Sequence, residues 1–210
     1  TDNVTSQLQV IDLSLYGNGF LTAALATFVM ACCFSMVTTL ENEFNARLNM
    51  TAIGFSIAFS MLMVGRLIFQ MPLGHFSDKW GRKPFILAGL VLMALTTIVL
   101  GEVQTMGQLI AVRLLQGVAA AGVAAPAFAL AADLSQAGGE GRQMSVVTMG
   151  FGLGIAVGPM MAGLLAVFFF ELPFLVIGLA SLVGAWLVYQ HMPETVNNEA
   201  TIFAHYEAAE

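Results

Sequence analysis

The chain has 210 residues, of which 58% are hydrophobic and only 10% are charged, and its formal net charge is −6. A soluble domain carries about 25% charged residues, and disordered chains are polar and rich in charge. The composition excludes both classes and predicts a protein with several membrane spans.

Six apolar runs follow one another along the chain, and each is long enough to cross a bilayer, which takes about 20 helical residues. The runs are continuous, whereas a transmembrane barrel would alternate polar and apolar residues, so the sequence predicts an all-α membrane protein. The predicted spans lie near 17–40, 50–73, 84–101, 106–132, 143–168 and 172–191. The corresponding domains are an N-terminal segment at 1–16, a six-helix domain at 17–192, and a tail or the start of a linker at 193–210.

Positive charges predict the orientation, because Lys and Arg concentrate in cytoplasmic loops. Lys79, Arg82 and Lys83 follow the second span and Arg142 follows the fourth, whereas Arg47 is the one basic loop residue on the opposite side. Both termini are therefore expected in the cytoplasm.

Residues for catalysis or metal binding are scarce. The histidines, His75, His191 and His205, lie at or beyond the ends of spans, and no HExxH or GxxxxGK[ST] motif occurs. Cys32 and Cys33 are neighbours on a helix, which favours neither a disulfide nor a metal site. The sequence predicts no enzyme, no cofactor and no metal.

Three motifs lie in register with the spans. GHFSDKWGRKP, at 74–84, lies between the second and third spans, RLLQG, at 113–117, lies in the fourth, and GIAVGPMMAG, at 154–163, lies in the fifth. They resemble the signature loop, the R-x-x-Q-G motif and the antiporter motif of the major facilitator superfamily, the last being typical of its drug/proton antiporter branch. Phe76 stands where the signature loop usually has Leu.

The resemblance implies that the signature loop is a cytoplasmic latch. Asp78 is expected to meet the positive N-terminal end of a helix from a second half, and Gly74 to let that helix approach closely. Arg82 is expected to pair with Asp133 at the end of the fourth span. The alternative is a loop whose basic residues only fix the topology. The latch comprises Gly74, Asp78, Lys79, Gly81, Arg82, Lys83 and Asp133.

Three polar residues inside the predicted spans are candidates for an intramembrane polar cluster or a proton relay. An unpaired Arg in a span costs about 2.5–3.5 kcal/mol on insertion scales, so such residues usually face the protein interior. Gln116 shares a helix face with Arg113, which favours an inward cluster, although Arg113 snorkelling to the outer boundary is the alternative. Arg66 has no acidic neighbour and is expected to face a cavity or to pair across a missing half.

The antiporter motif has a packing interpretation. Gly154, Gly158 and Gly163 give a flat face for another helix, and Pro159 removes a backbone hydrogen bond and bends the span. The resemblance implies that this bend seals the interface between two halves against leak.

The resemblance also implies what is missing, because the family has twelve spans in two six-helix halves, and the substrate path lies between them. The chain is therefore predicted as an N-terminal half, built from two three-helix inverted repeats, of a drug or small-molecule/proton antiporter in the bacterial inner membrane. Its expected partners are the bilayer, a second half or another membrane subunit, and a small apolar or amphipathic substrate, without nucleic acid. The alternative is a non-transporting six-helix subunit or scaffold.

Overall fold

The computed structural model describes residues 18–133 and 140–192, and within these ranges every regular element is helical. A 3₁₀ helix over Met36–Leu40 joins the first two α-helices without a break. The α-helices are α1 (Asn18–Ser35), α2 (Glu41–Leu48), α3 (Ala52–Trp80), α4 (Arg82–Leu100), α5 (Met106–Asp133), α6 (Glu140–Ala166) and α7 (Leu172–His191).

Six stretches of these helices are long and apolar enough to cross a membrane, if the run from α1 through α2 counts as one. The prediction of an all-helical fold with six spans is therefore confirmed. The side of the membrane on which the termini lie stays a prediction. The predicted segments at 1–16 and 193–210 fall outside the described residues.

Two polar stretches that follow predicted spans are helical. α3 continues through the signature loop to Trp80, and Gly81, at φ 103°, is the one non-helical residue before α4 begins. The break after the first predicted span is α2, which ends at Asn49 in the left-handed conformation. Hydropathy marks where a helix leaves the hydrocarbon, whereas the helix itself ends where a residue such as Gly or Asn adopts a positive φ.

The helices pack around a centre formed by α1 and α5. The apolar stretch of the first span is 78% buried and that of α5 is 67% buried. α4 and α7 pack against each other and against this centre, while α3 packs on α5 and α6 packs on α1. The apolar stretches of α3 and α6 are only 28% and 22% buried, so these two helices expose most of their surface.

Glycine allows a close crossing between α3 and α5. A Cβ added at Gly117 would overlap the carbonyl oxygen of Leu62 and would lie 2.9 Å from the backbone nitrogen of Arg66. A Cβ at Gly65 would likewise overlap the carbonyl of Leu114. The glycine that ends the RLLQG motif therefore allows α3 to lie directly against α5.

Candidate functional site: an ion-pair cluster and a buried arginine

Arg82 joins the ends of three helices. It begins α4, and its Nε donates a 3.1 Å hydrogen bond to Oδ2 of Asp133, the last residue of α5. Its Nη1 donates to the Ser77 hydroxyl at 3.0 Å and contacts the Asp78 carboxylate, and both of these residues belong to α3. The structure therefore brings together Arg82, Asp133 and Asp78, which the sequence analysis placed in one latch.

The charges in this ion-pair cluster, Asp78, Arg82 and Asp133, are unequally exposed. The Arg82 side chain is 11% exposed, whereas the side chains of Asp78 and Asp133 are 54% and 42% exposed. One guanidinium therefore serves two carboxylates, so the cluster itself carries a net negative charge.

The remaining latch residues have different surroundings. Gly81 supplies the positive φ at the turn between α3 and α4. A Cβ at Gly74 would lie 3.7 Å from the Ala125 Cβ, an ordinary contact, so packing among the described residues does not require a glycine there. Lys79 and Lys83 form no salt bridge with any described carboxylate, and the Lys83 Nζ lies 5.3 Å from the ring centroid of Tyr189.

Arg113 lies deep in the bundle with only 1% of its surface exposed. Its Nη1 donates to Oε1 of Gln116 at 2.6 Å and to the carbonyl oxygen of Phe34 at 3.4 Å. Gln116 Nε2 in turn donates to the Thr97 hydroxyl at 3.1 Å and to the carbonyl oxygen of Cys33 at 3.4 Å. This polar network joins α5 to α1 and α4. Arg113 is therefore buried, and the snorkelling alternative is wrong.

The Arg113 guanidinium is only partly satisfied. Its Nη2 has no hydrogen-bond partner among the described residues, and its Cζ lies 5.1 Å from the ring centroid of Phe59. No described carboxylate pairs with it, because the described acids lie at helix ends or in connections. A buried cation without a counter-ion is costly in a membrane protein, and such residues usually mark a functional position.

Arg66, on α3, lies near an aromatic ring of α6. Its Cζ lies 5.7 Å from the ring centroid of Phe151, and that ring lies 5.9 Å from the ring of Phe34. No described carboxylate pairs with Arg66, which is half-buried. The sequence analysis missed the aromatic neighbours of Arg66 and Arg113, because a Phe in an apolar span gives no signal that distinguishes it from other core residues.

The glycines of the antiporter motif face α1 within the same six-helix unit. A Cβ at Gly154 would overlap the Phe28 carbonyl oxygen, and one at Gly158 would lie 2.7 Å from the carbonyl oxygen of Cys32. At Gly163 the nearest atom, the Thr39 Cγ2, lies at an ordinary 3.5 Å. The close approach that the motif provides is therefore internal to this unit, and its role in sealing two halves stays a prediction.

Hydroxyl groups of the first span add polar contacts to this crossing. Ser35 Oγ donates to the Gly154 carbonyl at 3.3 Å, and Thr39 Oγ1 donates to the Pro159 carbonyl at 3.2 Å. Thr27 Oγ1 donates to the Val147 carbonyl at 3.1 Å. Close contact between α1 and α6 makes these bonds possible, so the glycines and the hydroxyls form one interface.

A separate ion pair lies at the opposite end of the bundle. Arg47 Nη1 lies 2.7 Å from Oε1 of Glu171, and the Arg47 guanidinium lies 3.9 Å from the ring centroid of Phe170. The hydrogen bond from Arg47 is the main cause that lowers the pKa of Glu171 below its ordinary value. This contact ties α2 to the connection between α6 and α7, and the sequence analysis did not foresee it.

Comparison of the sequence with known proteins identifies its family and relatives. The family model described as Major Facilitator Superfamily matches residues 20–205 of the chain. Among curated proteins, the bicyclomycin resistance protein homolog of Haemophilus influenzae is 34% identical over 73% of this chain and 36% of its own length. The tetracycline resistance protein, class H, of Pasteurella multocida is 29% identical over 80% of this chain and 41% of its own length. The inner membrane transport protein YnfM of Escherichia coli is 27% identical over 91% of this chain and 44% of its own length.

Comparison with solved structures shows that the chain has the fold of a known transporter. A bacterial homolog of the human lysosomal transporter Spinster, in an inward-facing and occupied conformation, matches with a TM-score of 0.75 at 14% identity. The match covers 83% of this chain and 44% of that one. The chain thus spans less than half the length of each of these relatives.

Proposed function

This chain belongs to the Major Facilitator Superfamily, and we propose from that premise that it acts as one half of a transporter. The transporter moves a small molecule across the bacterial inner membrane by alternating access, in which two six-helix halves rock about a central path. The resemblance that three sequence motifs predicted is confirmed by the family match, which covers nearly the whole chain.

The observation that carries the proposal is the uneven burial of the spans around a buried cation. α1 and α5 hold the polar network of Arg113 at the centre, while α3 and α6 expose most of their surface on either side of it. A second half that packs on α3 and α6 would cover both exposed helices and leave the polar network of Arg113 behind them. The bundle is thus organised as one wall of a path.

The substrate class follows from the relatives and from the chemistry of this wall. Relatives named for resistance to bicyclomycin and tetracycline favour antibiotics or similar small amphipathic compounds as substrates. The Arg113 Nη2 lacks a partner, which favours a negatively charged or carbonyl-bearing group as its transient partner. No described carboxylate lies in the middle of a span. A carboxylate that couples transport to protons would therefore come from outside the described residues.

The ion-pair cluster is proposed as a latch that stabilises one of the two access states. Two carboxylates share the Arg82 guanidinium, so Asp78 remains half exposed and able to contact the positive end of a helix in the second half. Asp78→Asn should weaken that contact and shift the assembled transporter toward the inward-open state. Labelling of cysteines introduced on each face measures the shift, and unchanged labelling would contradict the latch.

Transport itself is tested in liposomes. The chain is reconstituted with its second half, a pH gradient is imposed, and uptake of labelled tetracycline or another carbonyl-bearing amphipathic compound is followed. Substrate movement that depends on the gradient supports antiport, and Arg113→Gln should abolish it. A stable complex that moves no compound under any gradient would favour a non-transporting subunit instead.

A further inference from the structure

Arg66, on α3, lies at the edge of an aromatic cluster that includes residues of α6 and α1. Its Cζ lies 5.7 Å from the ring centroid of Phe151, on α6, and the Phe151 ring lies 5.9 Å from the ring of Phe34, on α1. Phe34 is buried, whereas Arg66 and Phe151 are both half-buried. The cluster therefore has a closed floor on α1 and an accessible edge formed by Arg66 and Phe151.

The surroundings of this edge are apolar. Ala31, Phe34 and Leu62 form a small buried cluster, and Phe151 packs against it. Arg66 lies one helical turn beyond Leu62, at the middle of α3. α3 packs on α5, whereas α6 packs on α1, so Arg66 and Phe151 approach each other from the two flanks of the bundle. A positive charge is thus held beside an apolar surface to which three helices contribute.

The positive charge of Arg66 is not balanced within the described part of the chain. No described carboxylate pairs with it. The other arginine inside a span, Arg113, is connected to the same cluster because its Nη1 donates to the Phe34 carbonyl at 3.4 Å, and its Nη2 has no partner among the described residues. No described carboxylate lies in the middle of a span. The described spans therefore offer two cations and no anion to whatever enters this region.

The chemistry of Arg66 and Phe151 fits one class of ligand. A guanidinium is planar and binds a carboxylate through two parallel hydrogen bonds. The aromatic ring beside it can pack against a second ring in an offset or edge-to-face arrangement. In apolar surroundings the attraction of an anion and the repulsion of a cation are both stronger than in water. The pair thus favours an aromatic compound with a carboxylate and disfavours one with a positive charge.

We propose that Arg66 and Phe151 form the subsite that selects the substrate by its charge, and that the substrate is an amphipathic aromatic acid. Arg66 binds the carboxylate, and the Phe151 ring packs against the ring of the substrate. This role rests on the proposed function, in which the bundle is one wall of a path. The competing partner of Arg66 is a carboxylate of the second half.

Three probes of nearly the same shape separate charge from fit. Naphthoate, naphthamide and naphthamidine share a ring system and are negative, neutral and positive at neutral pH. Their binding to the chain assembled with its second half in lipid nanodiscs is measured by equilibrium dialysis without any gradient, and empty nanodiscs give the background. We expect naphthoate to bind at least about tenfold more tightly than naphthamide, the gain expected from a hydrogen bond to a charged group, and naphthamidine to bind most weakly.

Variants identify the residue that makes the selection. Arg66→Gln should weaken the binding of naphthoate at least about tenfold and leave that of naphthamide unchanged, whereas a purely structural role would weaken all three probes alike. Arg66→Lys should keep part of the preference, because an ammonium group retains the charge but not the paired hydrogen bonds. Phe151→Leu should weaken all three probes, since it removes the ring and no charge. Arg47→Gln removes a positive charge at the end of the bundle and should leave the order of affinities unchanged.

Three results would overturn the proposal. Equal affinity of the unaltered protein for all three probes would show that the site does not select by charge, and this test needs no variant. Unchanged affinity of Arg66→Gln for naphthoate would show that the guanidinium serves the second half instead. Transport of naphthamide as fast as naphthoate would contradict the subsite and leave the proposed function intact. Charge-selective binding without transport would support the subsite and contradict the proposed function.

Discussion

The crossing between α1 and α6 allows a test in which two substitutions differ only in what the new methyl group meets. A Cβ at Gly154 would overlap the Phe28 carbonyl and would lie 2.6 Å from the Ala31 Cβ. At Gly152, on the same helix, the added Cβ would meet nothing within 4 Å. Both changes to Ala bring the same gain in helix propensity, so the difference between them reports the steric cost alone.

The loss of stability caused by Gly154→Ala follows from the displacement that the new methyl group requires. Carbon atoms rest at about 3.5–4.0 Å, so α1 and α6 must separate by about 1 Å at Gly154. A gap of that size forfeits a quarter to a half of each contact energy along the crossing. It also lengthens the hydrogen bond from Ser35 to the Gly154 carbonyl, now 3.3 Å. Overpacking of this kind costs about 1–3 kcal/mol.

The assay is thermal unfolding of the purified chain in detergent, followed by intrinsic fluorescence at one heating rate. A difference of about 2 kcal/mol should place the Tm of Gly154→Ala about 4–8 °C below that of Gly152→Ala. If both variants unfold at the same temperature, α6 does not lie against α1 as described. The glycine would then be required only for contact with a second half.

Three further predictions concern charged residues. Arg82→Gln and Asp133→Asn should be non-additive in a double-mutant cycle by about 0.5–1 kcal/mol, since the carboxylate is half exposed, and additivity would exclude the pair. Arg113→Met should change the free energy of unfolding by less than about 1 kcal/mol, because the removal of an unpaired buried charge offsets the hydrogen bond that Gln116 loses. The same substitution should reduce transport by the assembled protein at least tenfold. Glu171→Gln should lower the Tm at neutral pH, and the difference should disappear in acid. The depressed pKa of Glu171 means that its stabilising contribution is present above the ordinary pKa of a glutamate and is lost as the pH falls through the lower pKa of the folded state.

The sequence located the spans well because a bilayer imposes length and hydropathy on each helix. It did not mark the ends of the helices, because residues 41–48 and 74–80 lie beyond the first and second predicted spans and are still helical. Charge tells where a helix leaves the hydrocarbon, and the hydrogen-bonded backbone continues beyond that point until a residue with positive φ stops it. Asn49 and Gly81 are those residues, and only Gly81 gave a signal in the sequence.

A contact in the site could be predicted where both of its residues lie on one helix or where both belong to a known motif. Gln116 lies one turn from Arg113, so their contact follows from helix geometry. The acceptors on other helices, such as the Phe34 carbonyl, depend on how the helices cross and leave no trace in the sequence. The same reason explains why the glycine spacing of the antiporter motif predicted a close approach but not the helix that approaches.

Arg113 shows how stability and the proposed transport role conflict within this bundle. The close packing of α3 on α5, made possible by Gly117, holds the guanidinium out of contact with water, and Gln116 satisfies only one of its two terminal nitrogens. A charge kept in this way favours any state in which a negative group approaches Nη2. α3 and α6 are the least buried spans, so the flanks of the bundle are free to meet a second half that could provide such a group. An apolar side chain at position 113 would leave the six helices packed. It would also remove the free-energy gain from the approach of a negative group to the guanidinium, on which the proposed change of state depends.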